Sequence, residues 1–444
     1  VRRESRAEWD SILPRPAKVR TLGGLVGADA LRLTCHDAPA PPPGVAEQWD
    51  AEAEDSYIHL FGTALTFFGE SVPPLRRGGE NNGSSDQELP LRILCDEALA
   101  PEAYTMSVRA GTEGGIEIRA SDYEGVARAA ATIASYGLLH SFDGTGRTVR
   151  LACAEITDAP RFGWRGAMLD LSRHLFPLSY LERFIDLLFL HKVRYLHLHL
   201  CDDQGWRIEM PGYPRLTEIG AYRSNEMRGD AYYGGFYSRK ELSELDRYAS
   251  TRGITLVPEV DMPGHASAAI AAYPKLSCSE ASIDVPTGFG IFDNVLCAGK
   301  ENTFAFVQDV VASLASTFAG PYIHLGGDET PTGPWSTCPS CSKRVQTEGL
   351  SGIEELHPYF MNRAARDVLE AGRTPIVWDE AISKRLPKEA IIMAWQGRRS
   401  VRESLDAGFK TIACPQDRAC YLDHKHLDDE AEPGRLSVCT VRNS

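Results

Sequence analysis

No run of 18 or more uninterrupted apolar residues occurs in this 444-residue chain, so no stretch of it reads as a membrane-spanning helix. Positive charge is also short. Lys and Arg number 47 against 61 Asp and Glu, a formal net charge of −14. Phosphate backbones need the opposite balance, so nucleic acid is excluded as the expected partner. The N-terminus, VRRESRAEWD, has neither an initiator Met nor an apolar signal core, as expected of a processed end or a fragment. The 11 cysteines are an odd number spread through the chain. They do not form a disulfide scaffold, and their usage leans towards a reducing compartment. Cys338 and Cys341 make a C-x-x-C pair, but no second pair follows at zinc-finger spacing. The pair is therefore read as loop-stabilising or incidental rather than as a metal site.

What is present divides the chain in two. Residues 1–157 are expected to form a small α+β domain. The segments LRILCD, YTMSVRA and GIEIRAS read as short strands, and 122–140 as a helix with Asp122 at its N-cap. A Pro/Ala-rich acidic segment (37–55) and a Gly/Pro/Asn/Ser-rich one (69–90) read as solvated loops. Residues 158–444 alternate apolar runs with amphipathic segments. The runs are 166–174, 193–203, 253–261, 322–329, 374–380, 390–397 and 409–415. Capping-box matches at Ser179/Glu182, Ser238/Glu241 and Ser400/Glu403 mark helix starts. Gly253, Gly320, Gly372 and Gly408 mark stops.

Such alternation means a parallel sheet. Nearly every run ends in polar or aromatic residues: Asp170 and Arg173, Asp202 and Asp203, Glu259 and Asp261, Asp328 and Glu329, Trp378, and Trp395. An open sheet concentrates its site at one switch point. A TIM (β/α)8-type barrel gathers its site from many strand ends, and is the expected fold.

YIHLGGDETP (322–331) sets two carboxylates side by side just past two glycines. Like charges in contact raise the pKa of one partner. A carboxyl still protonated near neutrality is what a general acid requires. Trp378, Trp395 and Tyr421 are spaced as walls for a flat, weakly polar ligand face such as a sugar ring, with Arg173 and Asp423 as partners for its hydroxyls. His197 and His199 share one strand face, and with Asp202 they match a zinc-dependent barrel hydrolase. The later strands offer no further ligand set, so inward histidines bonded to their neighbours are the favoured reading.

These motifs resemble the β-N-acetylhexosaminidases of glycoside hydrolase family 20. HLGGDE (324–329) carries the resemblance, supported in order by LDLSRH, LHLCDDQGWRIE, PEVDMPGHA, VWDEA, AWQG and YLD. The resemblance implies an exo-acting, retaining enzyme without a cofactor. Its partner would be an N-acetylhexosamine-containing oligosaccharide or glycoconjugate. Glu329 would be general acid/base, and Asp328 would hold the substrate's acetamido group. Arg173, Asp423 and Tyr421 would contact the terminal sugar, Trp378 and Trp395 would line the pocket, and Asp202 and His265 would support the glutamate. A carbohydrate-binding relative with little activity is the alternative. The family's eighth strand bears a Trp and a Glu, yet no Trp follows Trp395. The expectation is therefore a barrel incomplete at its C-terminus.

Overall fold

The computed structural model describes residues 9, 12–28, 30–42, 53–66, 75–77, 88–112, 114–140, 149–225 and 230–416. The chain divides into two compact units. One comprises Val1–Ala167, Pro177–Leu196 and Glu244–Thr255, and the other Met168–Phe176, His197–Ser243 and Leu256–Ser444.

The first unit holds a seven-stranded sheet of β1 (Lys18–Ala28), β2 (Ala30–Asp37), β3 (Leu75–Arg77), β4 (Glu88–Cys95), β5 (Tyr104–Arg109), β6 (Gly115–Ala120) and β7 (Val149–Asp158), in the order β1-β7-β5-β6-β4-β2-β3. Helices α1 (Ala53–Thr66) and α2 (Tyr123–His140) accompany it. β4, β5, β6 and α2 lie where their apolar patterning puts them. Asp122 caps α2 through Oδ1, which accepts from Gly125 N at 2.7 Å. Two loop expectations are corrected. β3 falls inside the 69–90 segment, and α1 begins at the end of the acidic one. α1 buries Tyr57, Leu60, Phe61, Ala64 and Leu65, a helical stripe whose spacing was present in the sequence.

The second sheet has eight strands. Seven of them follow the seven apolar runs: β8 (Gly166–Asp170), β9 (Tyr195–Asp202), then, past the short β10 (Gly205–Trp206) and the separate hairpin β11 (Tyr222–Asn225) and β12 (Asp230–Gly234), β13 (Thr255–Val260), β14 (Tyr322–His324), β15 (Thr374–Trp378), β16 (Ile391–Ala394) and β17 (Lys410–Ala413). They lie side by side in chain order, with β8 against β9 and β10 folded back antiparallel on β9. β13 through β17 pair in parallel. β13 and β16 are buried almost throughout, as strands covered on both faces must be. This is the curled parallel sheet of a TIM-type barrel.

The helices between the strands are α3 (Leu178–Leu190), α4 (Arg239–Ser250), α5 (Ser267–Ala272), α6 (Glu301–Thr317), α7 (Pro339–Thr347), α8 (Leu356–Glu370) and α9 (Arg398–Asp406). Of the three capping boxes, only that of α4 forms: Ser238 N donates to Glu241 Oε2 at 2.7 Å, and Glu241 N to Ser238 Oγ at 3.2 Å. α3 and α9 start earlier, at N-caps Pro177 and Gly397, so Ser179 and Ser400 lie inside the first turn. Gly253, Gly372 and Gly408 close α4, α8 and α9 with paired Schellman hydrogen bonds. α6 instead ends at an extended Phe318, before Gly320 is reached. Among the described residues, no helix is long and apolar enough to cross a membrane.

One buried cation shapes the loop after β8. Arg207 is fully buried. It donates to the carbonyls of Leu171 (3.1 Å), Ser172 (2.7 Å), Ala221 (2.5 Å) and Gly235 (3.0 Å). Arg223 adds a bond to Arg173 O at 2.7 Å. Backbone carbonyls without donors inside a protein are costly, so the two guanidinium groups define this loop. Replacing Arg207 with Met strands the carbonyls of Leu171 and Gly235, and leaves that of Ala221 with Gly235 N (3.2 Å) and that of Ser172 with a long bond from Arg223 Nη1 (3.5 Å). Stability is expected to fall by about 3–5 kcal/mol, seen as a melting temperature lower by roughly 10 °C. A Met variant melting with the wild type would show that the carbonyls find other donors.

Candidate active site

The side chains that matter sit at the C-terminal ends of β8, β9, β13, β14, β15 and β16, all within the second unit. Glu259 of β13 lies at the centre with no exposed surface. Its oxygens meet His199 Nδ1 at 2.5 Å, His197 Nε2 at 2.8 Å, Trp378 Nε1 at 2.9 Å and His324 Nδ1 at 3.1 Å. Burial alone would raise its pKa, but the three imidazoles hold it well below the usual carboxylate range. Burial has the upper hand at His324, whose pKa is lowered to about 4. The His197-x-His199 pair is thus occupied with Glu259, in line with the favoured reading.

Asp202 ends β9 and joins two chains of contacts. Oδ2 pairs with Arg173 Nη2 and His199 Nε2, both at 2.7 Å. Oδ1 lies 3.1 Å from His265 Nδ1. Asp203 also meets His265 Nδ1, at 3.0 Å, and its other oxygen accepts from Ser267 Oγ at 2.5 Å. Burial works against the charge on Asp202, but Arg173, His265 and His199 override it, so its pKa is strongly depressed. For His265 burial is likewise outweighed. Asp202, Asp203 and Glu329 raise its pKa well above the ordinary value and keep an imidazolium in place. Its Nε2 then faces both adjacent carboxylates, 3.4 Å from Glu329 Oε2 and 3.6 Å from Asp328 Oδ2.

The backbone around that pair is unusual. His265 (φ 49°) and Glu329 (φ 43°) both take left-handed conformations. Such conformations cost non-glycine residues energy and cluster at functional sites. Gly326 has φ 68°, and a Cβ there would fall 1.7 Å from Asp261 Oδ1. Only glycine lets the chain just past β14 run so close to Asp261, whose Oδ1 accepts from Gly327 N at 3.0 Å. Burial, and then the charge of Asp328, raise the Asp261 pKa well above the carboxylate range. Asp328 is itself raised by burial and held back by His265 and by the Asp261 hydrogen bond. Its Oδ1 is buried, and among the described residues no N–H or hydroxyl donates to it. The Glu329 side chain, by contrast, is 32 % exposed.

Arg173 is held by Asp170 (3.0 Å), Gln204 (2.8 Å) and Asp202. Trp378 is turned into the core, 3 % exposed, with its ring 4.6 Å from that of His324. Trp395 is half-buried and donates to Glu380 Oε2 at 3.0 Å. Burial, a hydrogen bond given to Asp379 and the charge of Asp328 push the Glu380 carboxyl up to about 9. Tyr421 and Asp423 lie outside the described residues. In the sequence, Glu259 and Asp261 stand out only as polar strand ends, and Gln204 and Glu380 carry no sign of a role. The Cys338/Cys341 pair stands alone in the sequence. In space Cys278 and Cys297 join it, which sequence spacing could not show.

Residues 162–444 match the profile described as "Glycosyl hydrolase family 20, catalytic domain". The chain is 40 % identical over 398 residues to a "Beta-hexosaminidase" of Porphyromonas gingivalis, covering 86 % of this chain and 51 % of that protein. It is 32 % identical to one from Akkermansia muciniphila over 81 % of this chain and 70 % of the relative. Among solved structures, the family 20 exo β-N-acetylglucosaminidase of Vibrio harveyi in complex with N-acetylglucosamine superposes with a TM-score of 0.80 at 26 % identity, covering 97 % of this chain and 65 % of that one. The chain belongs to glycosyl hydrolase family 20. It spans about half the length of the Porphyromonas relative.

The depressed pKa of Asp202 has a sign that can be checked. Its pairing contributes fully to stability above the ordinary carboxylate pKa of about 4, and is lost as pH falls through the lower folded value. Asp202→Asn is expected to cost about 3 kcal/mol at pH 7, because Arg173 and His265 lose their buried counter-charge. It should also flatten the acid limb of stability between about pH 4 and 2. Thermal melts across that range decide it. An Asn variant with the wild-type acid slope would place the titrating group elsewhere.

Proposed function

We propose that this chain is the catalytic part of an exo-acting β-N-acetylhexosaminidase that removes terminal β-linked GlcNAc or GalNAc with retention, through the substrate's own acetamido group. The observation that carries the reading is the buried Oδ1 of Asp328, to which no N–H or hydroxyl among the described residues donates, beside the accessible carboxyl of Glu329. A buried acceptor in that state calls for a ligand N–H. The amide of a 2-acetamido sugar supplies one within reach of the glycosidic bond.

An ordinary retaining glycosidase sets its two carboxylates about 5–5.5 Å apart on opposite sides of the bond. Two consecutive residues at one strand end are poorly placed for that. In the proposed reaction, Glu329 gives its proton to the glycosidic oxygen as the C1–O bond breaks. The acetamido carbonyl oxygen attacks C1 and forms a cyclic oxazolinium. Asp328 accepts the amide N–H and balances the positive charge gathering on that nitrogen. That hydrogen bond to the ionised form opposes the upward pull of burial on its pKa. Glu329, now a carboxylate, takes a proton from the water that opens the ring. His265, held as an imidazolium by Asp202 and Asp203, steadies the negative charge while Glu329 lacks its proton. The Vibrio harveyi relative's structure with N-acetylglucosamine supports a sugar of this class.

Turnover of a chromogenic β-GlcNAc substrate tests the activity, against the alternative of binding alone. Glu329→Gln should lower turnover by about 10²–10⁴-fold when the leaving group needs protonation. It should lower it far less for a dinitrophenolate. Equal losses on both substrates would remove Glu329 from the acid role.

Substrate assistance has its own test. A β-glucoside lacking the acetamido group should be an extremely poor substrate. A thiazoline mimic of the cyclic intermediate should bind at least about 10²-fold more tightly than GlcNAc. Efficient cleavage of plain β-glucosides would exclude the mechanism.

A further inference from the structure

Away from the carboxylates, four cysteines from three separate stretches meet at one point. Cys278 and Cys297 lie in the segment between α5 and α6. Cys338 is the N-cap residue of α7, and Cys341 lies in its first turn. The Sγ atoms are 3.6 Å (Cys297–Cys341), 3.7 Å (Cys278–Cys341) and 3.8 Å (Cys297–Cys338) apart, and all four lie within 4.8 Å of one another. A disulfide needs about 2.05 Å, so these separations are not bonded pairs. They fit the edges of a tetrahedron instead. Four thiolates at the usual Zn–S distance of about 2.3 Å stand about 3.8 Å from each other. Three of the four cysteines are buried.

We propose that Cys278, Cys297, Cys338 and Cys341 bind a structural zinc ion. Binding converts four thiols to thiolates and releases their protons, with no change of oxidation state. All four tetrahedral positions are filled by protein, so no position remains for water or substrate. The surroundings are built for this. Cys297 N donates to Leu276 O at 2.8 Å, and Ser277 and Leu296 form a bridge, which sets Cys278 and Cys297 one step beyond neighbouring rungs. A Cβ on Gly299 would fall 2.4 Å from Cys341 N, so glycine is what allows the Cys297 loop to press against the C-x-x-C turn. The cluster's excess negative charge lies at the N-terminus of α7, where the helix dipole favours it.

The ion would tie together the two chain segments that carry the proton-transfer groups. Leu296, next to Cys297, donates its N–H to Pro263 O at 2.9 Å, two residues before His265. Trp335, six residues after Glu329, donates its indole N–H to Leu296 O at 3.0 Å. Zinc at the four sulfurs closes this circuit from the other side, so its role is to hold loops rather than to react.

The test uses the full chain purified without added metal or chelator. Elemental analysis should give about one zinc per chain. A mercurial that blocks thiols should release that zinc stoichiometrically and lower the melting temperature. Exchange with Co²⁺ should produce the thiolate charge-transfer band and the intense visible bands of a tetrahedral sulfur site. Cys297→Ser and Cys341→Ser should each lose more than nine-tenths of the metal, whereas Cys153→Ser, outside the cluster, keeps it. The wild-type stoichiometry and cobalt spectrum decide the matter even if those variants fail to fold. Three results would overturn the proposal: a chain that takes up no zinc when offered an equivalent, a denatured mass four hydrogens light from two disulfides, or iron in place of zinc.

Discussion

A carboxylate sealed from water must have its charge matched, and Glu259 is sealed completely. Three imidazoles and one indole N–H converge on it from β9, β14 and β15. The desolvation cost of such a charge is large, and an incomplete set of partners would be worse than none. The register of these strands is therefore specified by electrostatics as well as by apolar packing. Slipping any one of them by a residue would turn its partner for Glu259 to the opposite face. The positions of Asp202, His265 and the 328–329 pair all follow from strands held in this way.

Around the adjacent carboxylates, protons are distributed by surroundings rather than by residue type. The cations beside Asp202 pull its pKa down, while burial and a like charge push that of Asp261 up. His265, in the loop past β13, has its pKa raised, yet that of His324 on β14 is lowered. Groups of one chemical kind pushed in opposite directions at close quarters are the mark of a site arranged for proton transfer. The left-handed backbone at His265 and Glu329 fits the same picture, since the surrounding packing must hold both residues there.

Much of this was legible in the sequence. All but the last of the barrel strands are short apolar runs closed by a polar or aromatic residue, and all seven runs became strands. HLGGDE marked the carboxylate pair, because glycines next to acids at a strand end have few other uses. The misreadings have physical causes. Ser179 and Ser400 match the capping pattern, but Pro177 and Gly397 start those helices earlier. The stripe Tyr57–Leu65 was masked by an acidic, Pro-rich approach. The sequence also could not show that the Trp378 N–H is held by Glu259, a contact that arises only when β13 and β15 flank β14. The two cysteine pairs are 41 or more residues apart in the chain, and nothing local announces their meeting.

The close approach of Gly326 to Asp261 has a genetic consequence. Any side chain at 326 collides with the carboxyl of Asp261, and shortening residue 261 to make room removes the acceptor that holds Gly327 N. Neither position can change first without loss. The two are locked together across 65 residues of chain, and a lineage that alters one must pass through an impaired intermediate. Sequence drift around this site is thus expected to flow past the pair, leaving it as a fixed island while the apolar positions of β13 and β14 exchange Val, Ile and Leu freely.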